Sequence, residues 1–491
     1  MMLSGKKAVI DIGSNSCRLV IYDCAGAAVL PYFNEKTMAG LGRDMPHTGR
    51  LNEAGCKLAL ETLGRFRAII RAMDVDDVQA VATAAVREAE DGLEFRQAAE
   101  AVLGESIRIL SGAEEGYLSA RGVMLGLPVR SGLVADLGGS SLELCDIKGG
   151  ASDVTGETFL LGPLARSDDN DFGPNKRRKI MAKILQSSRL LAQNSGPLIA
   201  VGGGWRNVAL IHFMLTDYPF SISHAAILSR GDLDHIKTAI SRSEDDLDLR
   251  QRLQKRSKRR FGSLLHATVL LDVLLEHLDL DEVTISAYGL REGLIAGVGD
   301  IEANSALFDA IDLYVKPTAT EQGFSKALYS FAKPVCGASN IPKRLQKAAC
   351  MMADIGARMH PDHRPDLVFD QVLRAPLPMI SHAQRIFLAL ALATRYTSGF
   401  SLPDSYQKVI NGSDQKKASV LGRALRLGGV YSGRAGNILE QASLTVEASK
   451  LTLKVPEAGK TMVSETVRKR HRQLANALGC EAVLESQTVK A

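Results

Sequence analysis

Short apolar runs, each ended by a Gly/Ser-rich turn, dominate the first 300 or so residues of this 491-residue chain. Runs at 8–12, 17–23 and 27–33 read as a three-strand meander, and helical periodicity follows at 52–73. A strand at 78–83 leads through Thr83–Arg87 into a helix near 88–103. Another strand, Ile107–Leu110, ends at Ser111-Gly112, where a helix begins. The plan then repeats. Strands are predicted near 133–136, 141–147 and 153–160, and helices near 175–194. Leu198–Val201 is a strand that meets Gly202-Gly203-Gly204, and a helix starts near Trp205. Val283–Ser286 is a last strand, followed by a helix from Gly289 to Gly297. Meanders followed by alternating helices and strands imply an α/β fold with a mixed sheet in each half.

After about residue 304 helical periodicity takes over to about 430, with Pro361, Pro365, Pro376 and Pro378 in the loops. Beyond Ala442 a hairpin (Ser443–Val446, Lys450–Val455), a helix (Glu465–Leu478) and a strand (Ala482–Leu484) form a small α/β cap. The expected domains are 1–129, 130–303, 304–435 and 436–491.

Two of the turns say the same thing. DIGSNS spans Asp11–Ser16 and DLGGSS spans Asp136–Ser141, each between strand-like runs. Such a turn presents N–H and hydroxyl donors to phosphate oxygens, while its Asp can hold Mg2+ or a water. One copy alone is equally well an ordinary Asx/Ser turn. Two copies between predicted strands suggest a duplicated domain around a cleft. Glu143 shares the strand face of Ser141 and could complete a metal site beside Asp136, although a solvent-facing carboxylate would look the same.

Ser111 and Glu114 make a capping box. The cap leaves Glu115 unexplained, and a carboxylate there could take a proton from an attacking water. Arg87 reads as a helix-start arginine, opposed to the dipole, which points to a phosphate clamp. Three glycines before a helix, with Gly203 in the middle, let backbone approach a ligand. Trp205 is expected in packing, with base stacking left open. Met351–His363 has the layout of a metal-dependent phosphohydrolase helix without an intact His-Asp pair, and it is read as structural.

Charge and cysteine content narrow the field. The net charge is +5, which permits an anionic partner without requiring one. The seven cysteines are scattered without C-x-x-C pairs, so neither a disulfide framework nor a zinc knuckle is indicated. No apolar run is long enough to span a bilayer, and cytoplasmic residence is expected by default. The positive charge concentrates at 250–260, where Arg250, Arg252, Lys255, Arg256, Lys258, Arg259 and Arg260 stand without an acid. A long polyanion is the natural complement, and the run is expected to line a channel for the rest of such a chain. The near absence of aromatics favours an all-phosphate chain over nucleic acid.

These motifs, with GGGWR at 202–206 and SAYGLREG at 286–293, resemble the exopolyphosphatase/guanosine pentaphosphate phosphohydrolase family, a branch of the actin, sugar-kinase and chaperone-ATPase superfamily. The resemblance covers about residues 8–300 in order and spacing, and is looser in the helical region. It implies two duplicated ribonuclease-H-like domains flanking a cleft, an all-helical HD-like domain and the small cap. By position, Glu115 matches the catalytic glutamate and Asp11, Asp136 and Glu143 the metal-associated acids. Gly13, Ser14, Asn15 and Ser16 match the first phosphate loop. Gly138, Gly139, Ser140 and Ser141 match the second, and Arg87 the phosphate-binding arginine. Ser140 stands where the family commonly has glycine, and Trp205 where a smaller residue is usual.

The expected activity is Mg2+-dependent hydrolysis of the terminal phosphate of inorganic polyphosphate, with K+ a candidate activator and a homodimer the expected assembly. Guanosine pentaphosphate hydrolysis on the same site is the alternative. A small-molecule kinase and a non-enzymatic polyanion binder rank lower.

Overall fold

The computed structural model describes residues 3–149, 151–166, 172–194, 196–296, 305–318 and 323–487. The chain divides into two compact units, 1–306 and 307–491. The expected boundary at 303/304 and the end of the predicted helix at Gly297 lie outside the described residues.

The first unit contains two sheets. One comprises β1 (Leu3–Ile12), β2 (Cys17–Gly26), β3 (Ala28–Thr37), β4 (Asp77–Ala82) and β5 (Ile107–Ile109), in the order β3-β2-β1-β4-β5. The other comprises β6 (Gly132–Leu137), β7 (Leu142–Lys148), β8 (Ala151–Phe159), β9 (Leu198–Val201), β10 (Ala226–Ser229) and β11 (Glu282–Ser286), in the order β10-β11-β9-β6-β7-β8. The first strand of each sheet pairs antiparallel with the second and parallel with the fourth. The sheets therefore share one topology, except that β10 adds an antiparallel edge to β11 in the second. β10 has only four residues and lies outside the predicted set.

β1 and β6 explain why their sequences read as nearly continuous apolar runs: each is buried on both faces. Ala8, Ile10 and Ile12 enter one core, while Val9 joins Val20, Tyr22, Val81 and Leu110 in another. Leu133, Ala135 and Leu137 face a large core with Trp205, and Val134 faces a fourth cluster. Asp11 shares its strand face with Val9, and Asp136 with Val134, by the period of two. Both aspartates thus emerge on the same face and at the carboxyl end of equivalent strands.

Two helices on the inner faces of these sheets meet backbone to backbone. They are Gly112–Gly126 and Leu290–Ala296. A methyl at Gly122 would lie 2.0 Å from the Gly289 carbonyl oxygen, and one at Gly293 1.8 Å from that of Leu118.

The structure corrects several local expectations. The single helix predicted near 88–103 is two, Ala84–Glu88 and Gly92–Leu103. The helices predicted near 175–194 are present as Pro174–Leu185 and Arg189–Gln193, the second capped by Ser188. Met351–His363 is mostly a run of turns, not a helix, and His360 and His363 are exposed. Asp354 in that segment is bound to buried Arg395 (2.6 Å).

In the second unit, helices Phe324–Ala338, Lys343–Met351, Arg364–Arg374, His382–Tyr396 and Gly412–Ser432 precede a small sheet. That sheet comprises β12 (Ser443–Glu447), β13 (Lys450–Pro456) and β14 (Glu481–Gln487). β12 and β13 form the predicted hairpin, and β14 joins β13 in parallel after the helix Glu465–Leu478.

Candidate functional site

The two Asp turns are built alike. Ile12 pairs with Cys17, leaving Gly13–Ser16 as the loop, and Gly13 N–H donates to the Ser16 carbonyl (3.0 Å). Leu137 pairs with Leu142, leaving Gly138–Ser141, and Gly138 N–H donates to the Ser141 carbonyl (2.9 Å). The two middle carbonyls of each loop are tied back as well. Gly42 and Gly40 donate to Ser14 and Asn15 (2.8 and 3.2 Å), and Leu164 and Gly162 donate to Gly139 and Ser140 (2.8 and 3.0 Å). With the middle carbonyls tied back, the N–H groups of Ser14, Asn15 and Gly139, residues that line the cleft, are the ones that could receive an anion. The loops nearly touch: a methyl at Gly139 would lie 3.2 Å from Ser14 Cβ.

Between the loops lies a cleft with a cavity volume of about 460 Å3. Its lining includes Asp11, Gly13, Ser14, Asn15, Ser16, Gly138, Gly139 and Gly203 from the predicted site, together with Glu115, Asp136 and Glu143. Ser140 and Ser141 do not line it; buried Ser141 instead donates to Glu143.

The acidic wall is assembled from two elements. Ser111 accepts from Glu114 N–H and the Glu114 carboxylate accepts from Ser111 N–H (2.8 Å), so the capping box fixes where the helix starts. Such a cap stabilises by about 1 kcal/mol. Glu115 follows, and Ser119, one turn further on, donates to Asp136. Asp136 stands directly across the strand pair from Glu143. Burial pushes Glu115 up to about 7 against the opposing pull of Arg87, with Asp136 and Asp11 adding to the rise. Burial, then Glu115, pushes Glu143 well above the carboxylate range. Asp136 is also raised by burial, although the Ser119 hydrogen bond works against it. Glu143 Oε1 is buried without a hydrogen-bond partner. The acids therefore crowd together with too little compensating charge, a setting that a cation would relieve. Among the described residues no three acids converge as a preformed metal cage. This donor set fits Mg2+, which is commonly held by one or two carboxylates while waters and substrate phosphates complete its shell.

Arg87 does not line the cleft. It lies behind Glu115, bonded to that carboxylate, to the Leu110 carbonyl (2.7 Å) and to Glu88 (3.1 Å). The dipole argument drawn from its sequence position fails. Arg87 sits in the last turn of Ala84–Glu88, where a cation is favourable.

The opposite wall is cationic, and most of it was missed in the sequence. Arg18, Lys36, Arg206 and Arg291 line the cleft beside Arg259 and Arg260. Burial, then Arg291, Arg18 and Arg260, brings Arg206 down to about 10. Desolvation, then Arg260, Arg18 and Arg206, brings Lys36 down to about 8. Burial opposes the charge on Arg291, yet Glu292, Tyr22 and Asp11 overcome it and hold that guanidinium firmly protonated. Among the described residues, only the 3.5 Å contact of Arg291 with Asp11 joins the acids and cations of the lining by an ion pair.

Arg206 carried a readable signal, since it stands in the first turn of a helix opened by glycines, against the dipole. Gly202 has φ 118°, and a methyl there would lie 2.4 Å from the Leu137 carbonyl. Gly203 leaves room for the Arg260 guanidinium over the same helix end: a methyl would lie 2.3 Å from its Nη2. Trp205 is fully buried and donates to the Ala267 carbonyl (2.9 Å), which removes it from base stacking.

The run 250–260 is not one track. Arg250, Arg252 and Lys255 are exposed on the helix Leu247–Ser257, and Arg256 is bound to Leu210 O and Ser221 Oγ. Lys258 takes φ 52° at the turn that delivers Arg259 and Arg260 to the cleft.

Two like sheets with a cleft lined by carboxylates and cations define the class, and solved structures share the fold. The Ppx-GppA enzyme of Aquifex aeolicus is 24% identical, over 60% of this chain and 99% of that one, with a TM-score of 0.51. An exopolyphosphatase from Cytophaga hutchinsonii is 23% identical over 60% and 99%, with a TM-score of 0.53. The Ppx/GppA phosphatase family model matches residues 20–300, and the exopolyphosphatase C-terminal model matches residues 330–484. The chain belongs to the Ppx/GppA phosphatase family. No helix among the described residues is long and apolar enough to cross a membrane.

Proposed function

We propose that this phosphatase removes the terminal phosphate of inorganic polyphosphate. One observation carries the reading: carboxylates raised by burial and six cationic side chains line one cleft, with no aromatic side chain in the lining among the described residues. A substrate that is phosphate throughout satisfies both walls, whereas a nucleoside would find no ring to stack on.

In this reading the paired loops hold the terminal phosphoryl group through backbone N–H groups. Glu115, ionised, takes the proton of the water that attacks phosphorus. The bond from that phosphorus to its bridging oxygen breaks, and Arg18, Arg206, Arg260 and Arg291 stabilise the charge on the shortened chain. Asp11, Asp136 and Glu143 are the residues that would hold Mg2+, which supplies charge neutralisation at the phosphate oxygens. Catalysis of this kind rests on positioning and electrostatics. The architecture proposed with it is a pair of duplicated ribonuclease-H-like domains (1–129, 130–303), an HD-like helical domain (304–435) and a cap (436–491), assembled as a homodimer.

The test is phosphate release from long polyphosphate beside release from guanosine pentaphosphate, with Mg2+, with and without K+. Polyphosphate should turn over faster, and Glu115→Gln should lower kcat by about 10²–10⁴-fold. Full activity in Glu115→Gln would remove Glu115 as the base. Preference for guanosine pentaphosphate would install the alternative substrate.

A further inference from the structure

The second unit carries a separate concentration of positive charge. Arg423 and Arg426 lie three residues apart on the helix Gly412–Ser432, against which His382–Tyr396 and Glu465–Leu478 pack. Those two helices contribute Arg395 and Arg470.

The four arginines are not equivalent. Arg395 is fully engaged, with Ala353 O (2.5 Å), Leu425 O (2.8 Å) and Asp354 (2.6 Å), and Gly429 makes room for its guanidinium. Arg423 bonds Ser419 and the Ser398 carbonyl, neutral partners only. Arg470 reaches Gln473 (2.9 Å), but its Nε is buried without a partner. Arg426 has no hydrogen bond among the described residues, and its Nη1 is buried. Burial, then Arg470, Arg423 and Arg395, lowers it to about 10, and no carboxylate acts on it in return. A half-buried cation whose charged neighbours are themselves cations is disfavoured unless an anion meets it.

We propose that Arg426 and Arg470, with Arg423 beside them, form a binding site for a compact phosphate dianion between the helices Gly412–Ser432 and Glu465–Leu478. Guanidinium forks match the edges of a tetrahedral phosphate, and two charges on the ligand answer the unpaired arginines better than one carboxylate would. Inorganic phosphate is also the product released in the proposed reaction, so the site would report product level to the second unit. The site itself does not depend on that reaction.

Hydrogen–deuterium exchange on the full chain tests this locally. Inorganic phosphate, against chloride at equal ionic strength, should slow exchange at 412–432 and 465–478. Arg426→Met keeps the apolar stem and removes the fork. It should abolish that protection, or weaken the half-saturating phosphate at least about tenfold, given the strength of hydrogen bonds to charged groups. Protection at 11–16 and 136–143 should survive the change. Circular dichroism checks that the variant is folded; if it is not, Arg470→Gln is read in its place. Protection that persists undiminished in the folded variant, appears with tripolyphosphate but not phosphate, or appears with neither anion overturns the proposal.

Discussion

The two Asp turns share their hydrogen bonds down to the tied-back middle carbonyls, yet they differ in what stands opposite the aspartate. Asp11 faces Arg18 across β1 and β2, whereas Asp136 faces Glu143 across β6 and β7. One scaffold position carries a cation in the first sheet and an acid in the second. The same asymmetry recurs at the inner helices. Ser111 N–H is capped by Glu114, and Gly289 N–H by Glu292 (both 2.8 Å). The residue after each capping acid is Glu115 in one helix and Gly293 in the other. A shared frame thus sorts charge by half: the first sheet sets a cation opposite its aspartate, while the second sheet and the first helix gather acids. Matching turns alone would suggest matching roles, and only the cross-strand partners separate them.

Three changes would break this division, beginning with the most damaging. Glu143→Gln removes the acid opposite Asp136 while keeping its shape. We expect kcat to fall by roughly 10²-fold or more, the scale of losing one preorganised electrostatic group, while Tm holds or rises. Unchanged kcat would mean that the acidic wall is a by-product of packing. Arg18→Met with Arg206→Met strips the cationic wall. KM for polyphosphate should rise by roughly 10–100-fold, as charged hydrogen bonds are lost, with a shallower dependence on salt. An unaltered salt slope would count against these cations as phosphate ligands. Gly203→Ala should displace Arg260 and raise KM by about threefold, the value of one modest hydrogen bond.

The pH dependence sharpens the contrast. Glu115 must be ionised to accept a proton, so kcat should climb as pH rises through about 7. Stability should run the other way. A carboxyl whose folded value lies above its unfolded value of about 4.3 favours folding fully below that pH and loses the contribution as pH rises towards about 7. Differential scanning calorimetry of the ligand-free protein should show Tm falling across that window, and Glu115→Gln should flatten the fall. A Tm slope that survives the substitution would assign the titration elsewhere.

Much of the first unit was legible because its signals are local. Apolar runs ending at Gly/Ser turns mark strands and loops, and the Ser111–Glu114 box marks a helix start to the residue. The cationic wall was not legible in the same way. Arg18 and Lys36 lie on β2 and β3, Arg206 and Arg291 on separate helices, and nothing in their spacing announces that they converge. The basic run at 250–260 misled in the opposite direction, because adjacency in sequence became divergence around a helix. Met351–His363 had the right residue types for a metal helix but lacks the helix, and Asp354 there answers Arg395 instead.

The backbone contact of Gly122 with Gly289, and of Gly293 with Leu118, has a consequence for tolerance to change. Glu115 rides on one of these helices and Arg291 on the other, so the gap between acid and cation depends on a main-chain contact beside the Leu118, Leu125, Leu294 and Ile295 side chains. That contact registers the addition of a single carbon atom. Glycines that bring no side-chain chemistry therefore help set the calibre of the cleft.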